Sequence, residues 1–367
     1  MGVAGKGDGQ LRGRGGVEGM GMVREQSGKS LRVAQRQQFL EGNCDGGVTV
    51  LPDPNLFRKS AAVSVASLES GRLRSIAPTG KLSRGGQDRH LQRCVSPCMP
   101  KHTLTGKIKR HRGFQSKILG NRRDVLVYLP RGYRRFSRRR YPVLYLHDGQ
   151  NVFDAATSFA GVEWCVDETA ESLIQKKIIE PLIVVAVANT GDERIHEYAP
   201  SPGAIHETAL REDRSHGLAR KYGRFLIEEV KPYIDKKYPT KCEAEFTGLG
   251  GSSMGGLVTM SLGLWFPNVF SRLMIMSPAV WWDDQVILKM VQELDHKLPL
   301  KIWLDTGTNE TGWELARSLR DALVEKGWRL HDDLQYLEAK GADHSEAAWA
   351  KRIDPMLRFL FPPPPVT

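Results

Sequence analysis

Two adjacent serines, Ser252 and Ser253, stand among glycines in "GLGGSSMGGL", residues 248–257. A serine hydroxyl becomes a nucleophile when a sharp turn exposes it beside a base and beside N–H groups that receive an oxyanion. Only Ser253 is centred in a G-x-S-x-G frame, Gly251-Ser252-Ser253-Met254-Gly255. A frame on Ser252 would need glycine at 254, where Met254 stands. "AEFTGLGG" before it reads as a short strand and "MGGLVTMSLGLWF" after it as an apolar helix, the context of a nucleophile elbow. The alternative for the same residues is a glycine-rich loop that packs a strand on a helix or holds a phosphate.

A serine at neutral pH needs a base, and His344 in "EAKGADHSEAAWAKR" follows the last strand-like run, just before a helix. His147, at the end of an early apolar run, reads as structural. The orienting acid belongs between Ser253 and His344. "KIWLDTGTNETGWE" offers Asp305 at a strand end and Glu310 in the loop beyond it, and Glu310 is preferred for its reach. The order Ser253, Glu310, His344 is that of an α/β-hydrolase triad. The backbone N–H of Met254, next to the nucleophile, and that of Gln150 in "YLHDGQNVFD" are the expected oxyanion donors, each worth about 3 kcal/mol of transition-state stabilisation.

These groups need a scaffold. "TLTGKIKRHRGFQSKILGNRRDVLVYLPRGY" reads as antiparallel strands near 103–112 and 115–119 followed by "DVLVYLP", with a turn at Gly120-Asn121. The apolar run at 141–149 is a buried strand, and further strands fall at 181–187, 245–249, 271–276, 300–304 and 332–338. Helical stretches near 165–175, 218–236, 254–265, 284–295, 311–326 and 345–359 alternate with them. The expected fold class is α/β: a mostly parallel central sheet flanked by helices, with antiparallel N-terminal strands.

Residues 1–100 lack either periodicity and are expected to form a disordered basic arm, with 101–362 as the folded domain. The arm carries 15 Lys/Arg against 8 Asp/Glu, leaving +4 of the formal +11 for the rest of the chain. Its basic residues are scattered with few aromatics, so no nucleic-acid partner is expected. Foldable sequence starts near Met99, which raises the hypothesis of an appended upstream extension. The five cysteines, Cys44, Cys94, Cys98, Cys165 and Cys242, form neither a disulfide framework nor a zinc spacing and read as free thiols. With no secretory h-region and no span-length apolar run, a cytoplasmic protein without membrane insertion is expected.

In order along the chain, "YLHDGQNVFD", "GVEWCVDE", "NTGDERIHEYAPS", "GSSMGGL", "SPAVWW", "DTGTNE" and "GADHSEAAW" resemble the "Putative esterase" family of α/β-hydrolases, over roughly residues 103–362. That group includes enterochelin-esterase-like proteins, esterase D, and feruloyl and acetylxylan esterases. The resemblance implies Ser253 as nucleophile, His344 as base and Glu310 over Asp305 as acid. It implies substrate contacts at Trp281 and Trp282, an aromatic wall, and at Arg194 and Tyr198, in a loop near the site. For Arg194 a structural pairing with Glu197 or Asp192 is the alternative, and for the tryptophans it is core packing. The expected function is a serine carboxylesterase acting on a small-molecule ester through an acyl-enzyme, with no metal or cofactor required. The alternatives are an acyltransferase on the same triad and a non-catalytic binding protein on a hydrolase scaffold. The residues leave the ester's two halves and the oligomeric state open.

Overall fold

The computed structural model describes residues 101–136, 138–203 and 217–363. The expectations for the arm, for Met99 and for Cys44, Cys94 and Cys98 lie outside the described residues. Eight strands form one sheet: β1 (Lys107–Gln115), β2 (Arg122–Leu129), β3 (Val143–Leu146), β4 (Ile183–Val187), β5 (Thr247–Ser252), β6 (Arg272–Met276), β7 (Lys301–Gly307) and β8 (Leu334–Ala339). Their order is β1-β2-β4-β3-β5-β6-β7-β8. β1 and β2 pair antiparallel, β2 meets β4 antiparallel, and every pairing from β4 to β8 is parallel.

The central strands β3, β4 and β6 are apolar on both faces, so each feeds two cores. Val143, Tyr145, Ile183, Val185, Leu273 and Ile275 point to one side. Leu144, Leu146, Val184, Ala186, Met274 and Met276 point to the other. The first face is covered by a continuous helical run, α3, made of Ala219–Arg224, the π-helical Phe225–Val230 and Lys231–Lys237, together with α4 (Met254–Trp265), α5 (Trp282–Gln292) and α6 (Glu314–Glu325). The second is covered by α1 (Val166–Gln175) and α8 (Ile353–Leu360). Two short helices, α2 (Arg194–Tyr198) and α7 (Glu346–Ala350), lie in the loops at the carboxyl ends of strands.

Three local expectations change. No strand forms at 115–119, because Ser116 and Gly120 close a turn in which Gly120 donates to the Ser116 carbonyl at 3.1 Å. β3 stops at Leu146, and Asp148 takes φ 55° to turn the chain into a 3-10 turn at Gly149–Asn151. The stretch near 345–359 is two helices, α7 and α8, broken after Ala350.

One polar pair is sealed under the sheet edge. Arg123 donates to both oxygens of Glu197, at 2.8 and 2.6 Å, with side chains 0% and 2% exposed. The guanidinium also lies 4.9 Å from the Phe225 ring centre. Removing one partner would leave a buried charge alone. Glu197→Gln is therefore expected to lower unfolding free energy by about 3 kcal/mol in urea titration. Asp192→Asn, at an exposed position nearby, should stay within about 0.5 kcal/mol.

Candidate active site

β5 ends at Ser252, and Ser253 caps α4 with φ 58° and ψ −123°. Non-glycine residues persist in that region only when their surroundings hold them there, at a cost of about 1–3 kcal/mol. Here the neighbouring strand does so. Ser253 N–H donates to the Met276 carbonyl at 3.0 Å, and the Ser253 carbonyl accepts from Ala279 and Leu257 N–H, both at 3.1 Å. Ser252 is 2% exposed inside the sheet, whereas Ser253 is partly exposed. The turn leaves no room for a side chain at Gly251, where an added Cβ would lie 3.0 Å from both the Gly255 backbone and the His147 ring. The Ser253 side chain makes no helix-capping hydrogen bond. The Met254 N–H, at the first helical position of α4, belongs to the turn that lacks intrahelical acceptors.

Glu310 and His344 come together from the loops after β7 and β8. His344 Nδ1 lies 2.9 Å from Glu310 Oε2, and the imidazole is half-exposed. The other oxygen, Oε1, accepts from Ser277 Oγ at 2.6 Å and from Gly307 N–H at 2.8 Å. Burial works against ionisation of Glu310, but the hydrogen bonds from His344, Ser277 and Gly307 and the His344 charge outweigh it, holding the carboxyl below its ordinary pKa. The His344 ring also meets Trp349 edge-on at a centroid distance of 5.0 Å.

Asp305 is elsewhere. It is fully buried at the end of β7, where it accepts from Trp303 Nε1 at 2.7 Å and faces Arg352 at 3.4 Å. Burial, only partly offset by Arg352, pushes its pKa up to about 6. Thus the structure brings Glu310, not Asp305, to His344.

His147 is sealed between Tyr198 and Tyr222, with Nδ1 2.9 Å from the Tyr222 hydroxyl. Burial drives its pKa down to about 3, so it stays neutral near pH 7. Next to it, Asp148 receives two hydrogen bonds from Arg194, at 2.7 and 2.8 Å, and one from Asn189 at 2.7 Å. Arg194 thus pairs with neither Glu197 nor Asp192; it braces the turn that presents Gln150. Gly149 is obligatory in that turn, since a Cβ would lie 2.6 Å from the Ala186 backbone. The Gln150 side-chain oxygen accepts from Asn189 N–H at 3.2 Å, tying the loops after β3 and β4 together.

Two expected substrate contacts move into the protein interior. Tyr198 is fully buried, with its hydroxyl 3.3 Å from Asp148. Trp282 is 5% exposed and donates to the Ser201 carbonyl. Trp281, 53% exposed, is the ring of the pair that faces outward. Sequence reading missed Ser277, Trp349 and Arg352. Ser277, at φ 41°, accepts from Trp349 Nε1 at 3.0 Å and Arg352 at 3.1 Å while donating to Glu310. The signal available was a serine at a strand end, in "SPAVWW", which alone says nothing of its partners.

The family model described as "Putative esterase" matches residues 116–360, about two thirds of the chain, and the protein belongs to that family of hydrolases. It is 27% identical over 259 residues to YjcH of Bacillus subtilis, covering 67% of this chain and 95% of the relative. It is 26% identical over 252 residues to an endo-1,4-beta-xylanase/feruloyl esterase of Xylanibacter ruminicola, covering 68% of this chain but only 30% of that larger relative. The enterobactin esterase FES of Shigella flexneri, solved in the presence of enterobactin, aligns with a TM-score of 0.56 at 19% identity, covering 70% of this chain and 60% of its own. That likeness establishes the α/β-hydrolase type of fold. Among the described residues no helix is long and apolar enough to cross a membrane.

Ser277→Ala should separate positioning from binding. It removes one hydrogen bond to Glu310 and strands two buried donors, so kcat is expected to fall about 10-fold or more with KM nearly unchanged. Steady-state kinetics on any accepted ester checks this.

Proposed function

We propose that this chain is a serine carboxylesterase working through an acyl-enzyme. The observation that carries the reading is the pairing of His344 with Glu310 in loops at the carboxyl edge of the sheet, the same edge at which a strained, partly exposed Ser253 turns β5 into α4. Ser253 Oγ attacks the ester carbonyl carbon while His344 Nε2 takes the hydroxyl proton. Glu310 accepts the Nδ1 hydrogen, fixes the tautomer and stabilises the imidazolium that forms. The N–H groups of Met254 and Gln150 receive the oxyanion. As the tetrahedral intermediate collapses, His344 returns the proton to the departing alcohol. A water molecule, deprotonated by the same imidazole, then releases the acid and restores Ser253. Catalytic hydrogen bonds often tighten only with substrate, so the role requires the Ser253 Oγ–His344 Nε2 bond to close only once the ester is bound.

For the substrate, the feruloyl esterase and the enterobactin esterase among the similar proteins nominate feruloyl esters and enterobactin as the first panel to test. The exposed Trp281 ring supplies a surface on which an aromatic or apolar portion could pack.

Fluorophosphonate labelling followed by intact mass tests the nucleophile. One adduct is expected on wild type and on Ser252→Ala, and none on Ser253→Ala. An adduct retained by Ser253→Ala, or none on folded wild type, would overturn the assignment.

A further inference from the structure

The connection from β2 to β3 reads "RGYRRFSRRR" over residues 131–140, with six arginines and no acid. All six are exposed, and Phe136 among them is 93% exposed. Among the described residues no carboxylate pairs with Arg131, Arg134, Arg135, Arg138 or Arg140. Arg135, Phe136, Arg138 and Arg140 line a depression of about 420 Å³ with Lys236 and Lys237. Its single acid, Asp235, is already engaged by Lys231 at 2.8 Å and Thr240 at 2.7 Å. Such crowding of cations is self-repulsive unless an anion answers it.

The place of this loop is informative. It enters β3 at its amino end, where Tyr141 bridges to Thr240. Ser253, Glu310 and His344 all follow the carboxyl ends of parallel strands. The basic loop and the candidate active site therefore lie at opposite edges of the sheet, and the loop is not part of the ester site.

We infer that this loop is a docking surface for an anionic phospholipid bilayer, its arginines meeting lipid phosphates and carboxylates while the Phe136 ring enters the interfacial region. A single protruding aromatic flanked by cations suits a lipid interface. Single-stranded nucleic acid is read by several stacked aromatics along a groove, and this loop offers one exposed ring, since Tyr133 packs against Tyr141 and Tyr238. Docking by this edge turns the opposite, catalytic edge toward the aqueous phase.

Vesicle sedimentation of the full chain tests the inference, using phosphatidylcholine with and without about 30% phosphatidylserine. Binding is expected only to the anionic vesicles, and it should weaken steeply between about 0.05 and 0.5 M salt. Arg135→Glu with Arg138→Glu should weaken it at least about 25-fold, taking about fivefold for each arginine lost. Phe136→Ala should weaken it several-fold and leave the salt dependence unchanged. Hydrolysis of a soluble ester should be unaffected in these variants, so loss of docking and loss of esterase activity read out separately. The inference is overturned if anionic vesicles do not retain the chain at low salt. It is equally overturned if retention survives the double reversal, or if duplex or single-stranded DNA displaces the vesicles at matched charge concentration.

Discussion

The carboxyl end of β6 holds the candidate site together. The Met276 carbonyl accepts the Ser253 N–H and so fixes the strained elbow. The next residue, Ser277, donates to Glu310 and fixes the group that faces His344. One dipeptide thus governs both halves of the proposed machinery, and neither of its residues needs to touch a substrate. A displacement there would move the hydroxyl and the imidazole relative to each other, which proximity-dependent catalysis tolerates poorly.

Behind that dipeptide lies a charge arrangement with a clear division of labour. Arg352, 3% exposed, sits 3.4 Å from Asp305 and 3.8 Å from Glu310. A single buried cation serves two carboxyls, and their environments push them apart. Glu310 gathers hydrogen bonds and stays ionised, while burial drives Asp305 toward neutrality. Keeping the charge on the carboxylate next to His344 favours the imidazolium that ester cleavage requires.

Much of this was readable from residue order. The apolar runs of β3, β4 and β6 are continuous because both faces of each strand are buried, and their alternation with helical stretches pointed to a parallel sheet. The G-x-S-x-G frame picked Ser253 over Ser252, and loop length picked Glu310 over Asp305. What sequence could not supply was partnership across distance. Arg194 finds Asp148, 46 residues away, and Glu197, three residues from Arg194, finds Arg123 instead. Local spacing suggested the nearer pairs, but long-range strand packing decided otherwise. Tyr198 and Trp282 were assigned to substrate because their motifs resemble the family's, yet both rings are spent on packing. A buried aromatic and a wall aromatic look alike until the chain is folded.

The most direct test compares Glu310→Gln with Asp305→Asn in kcat/KM on one accepted ester, normalised to the fraction of chain that keeps its native melting transition. The account predicts a loss of about 100-fold or more for Glu310→Gln, since the amide can present the wrong partner to Nδ1. It predicts a loss of no more than about 10-fold for Asp305→Asn, which reaches the site through Arg352 at 3.4 Å and the Ser277 N–H at 3.3 Å. An Asp305→Asn loss equal to or larger than that of Glu310→Gln would contradict it.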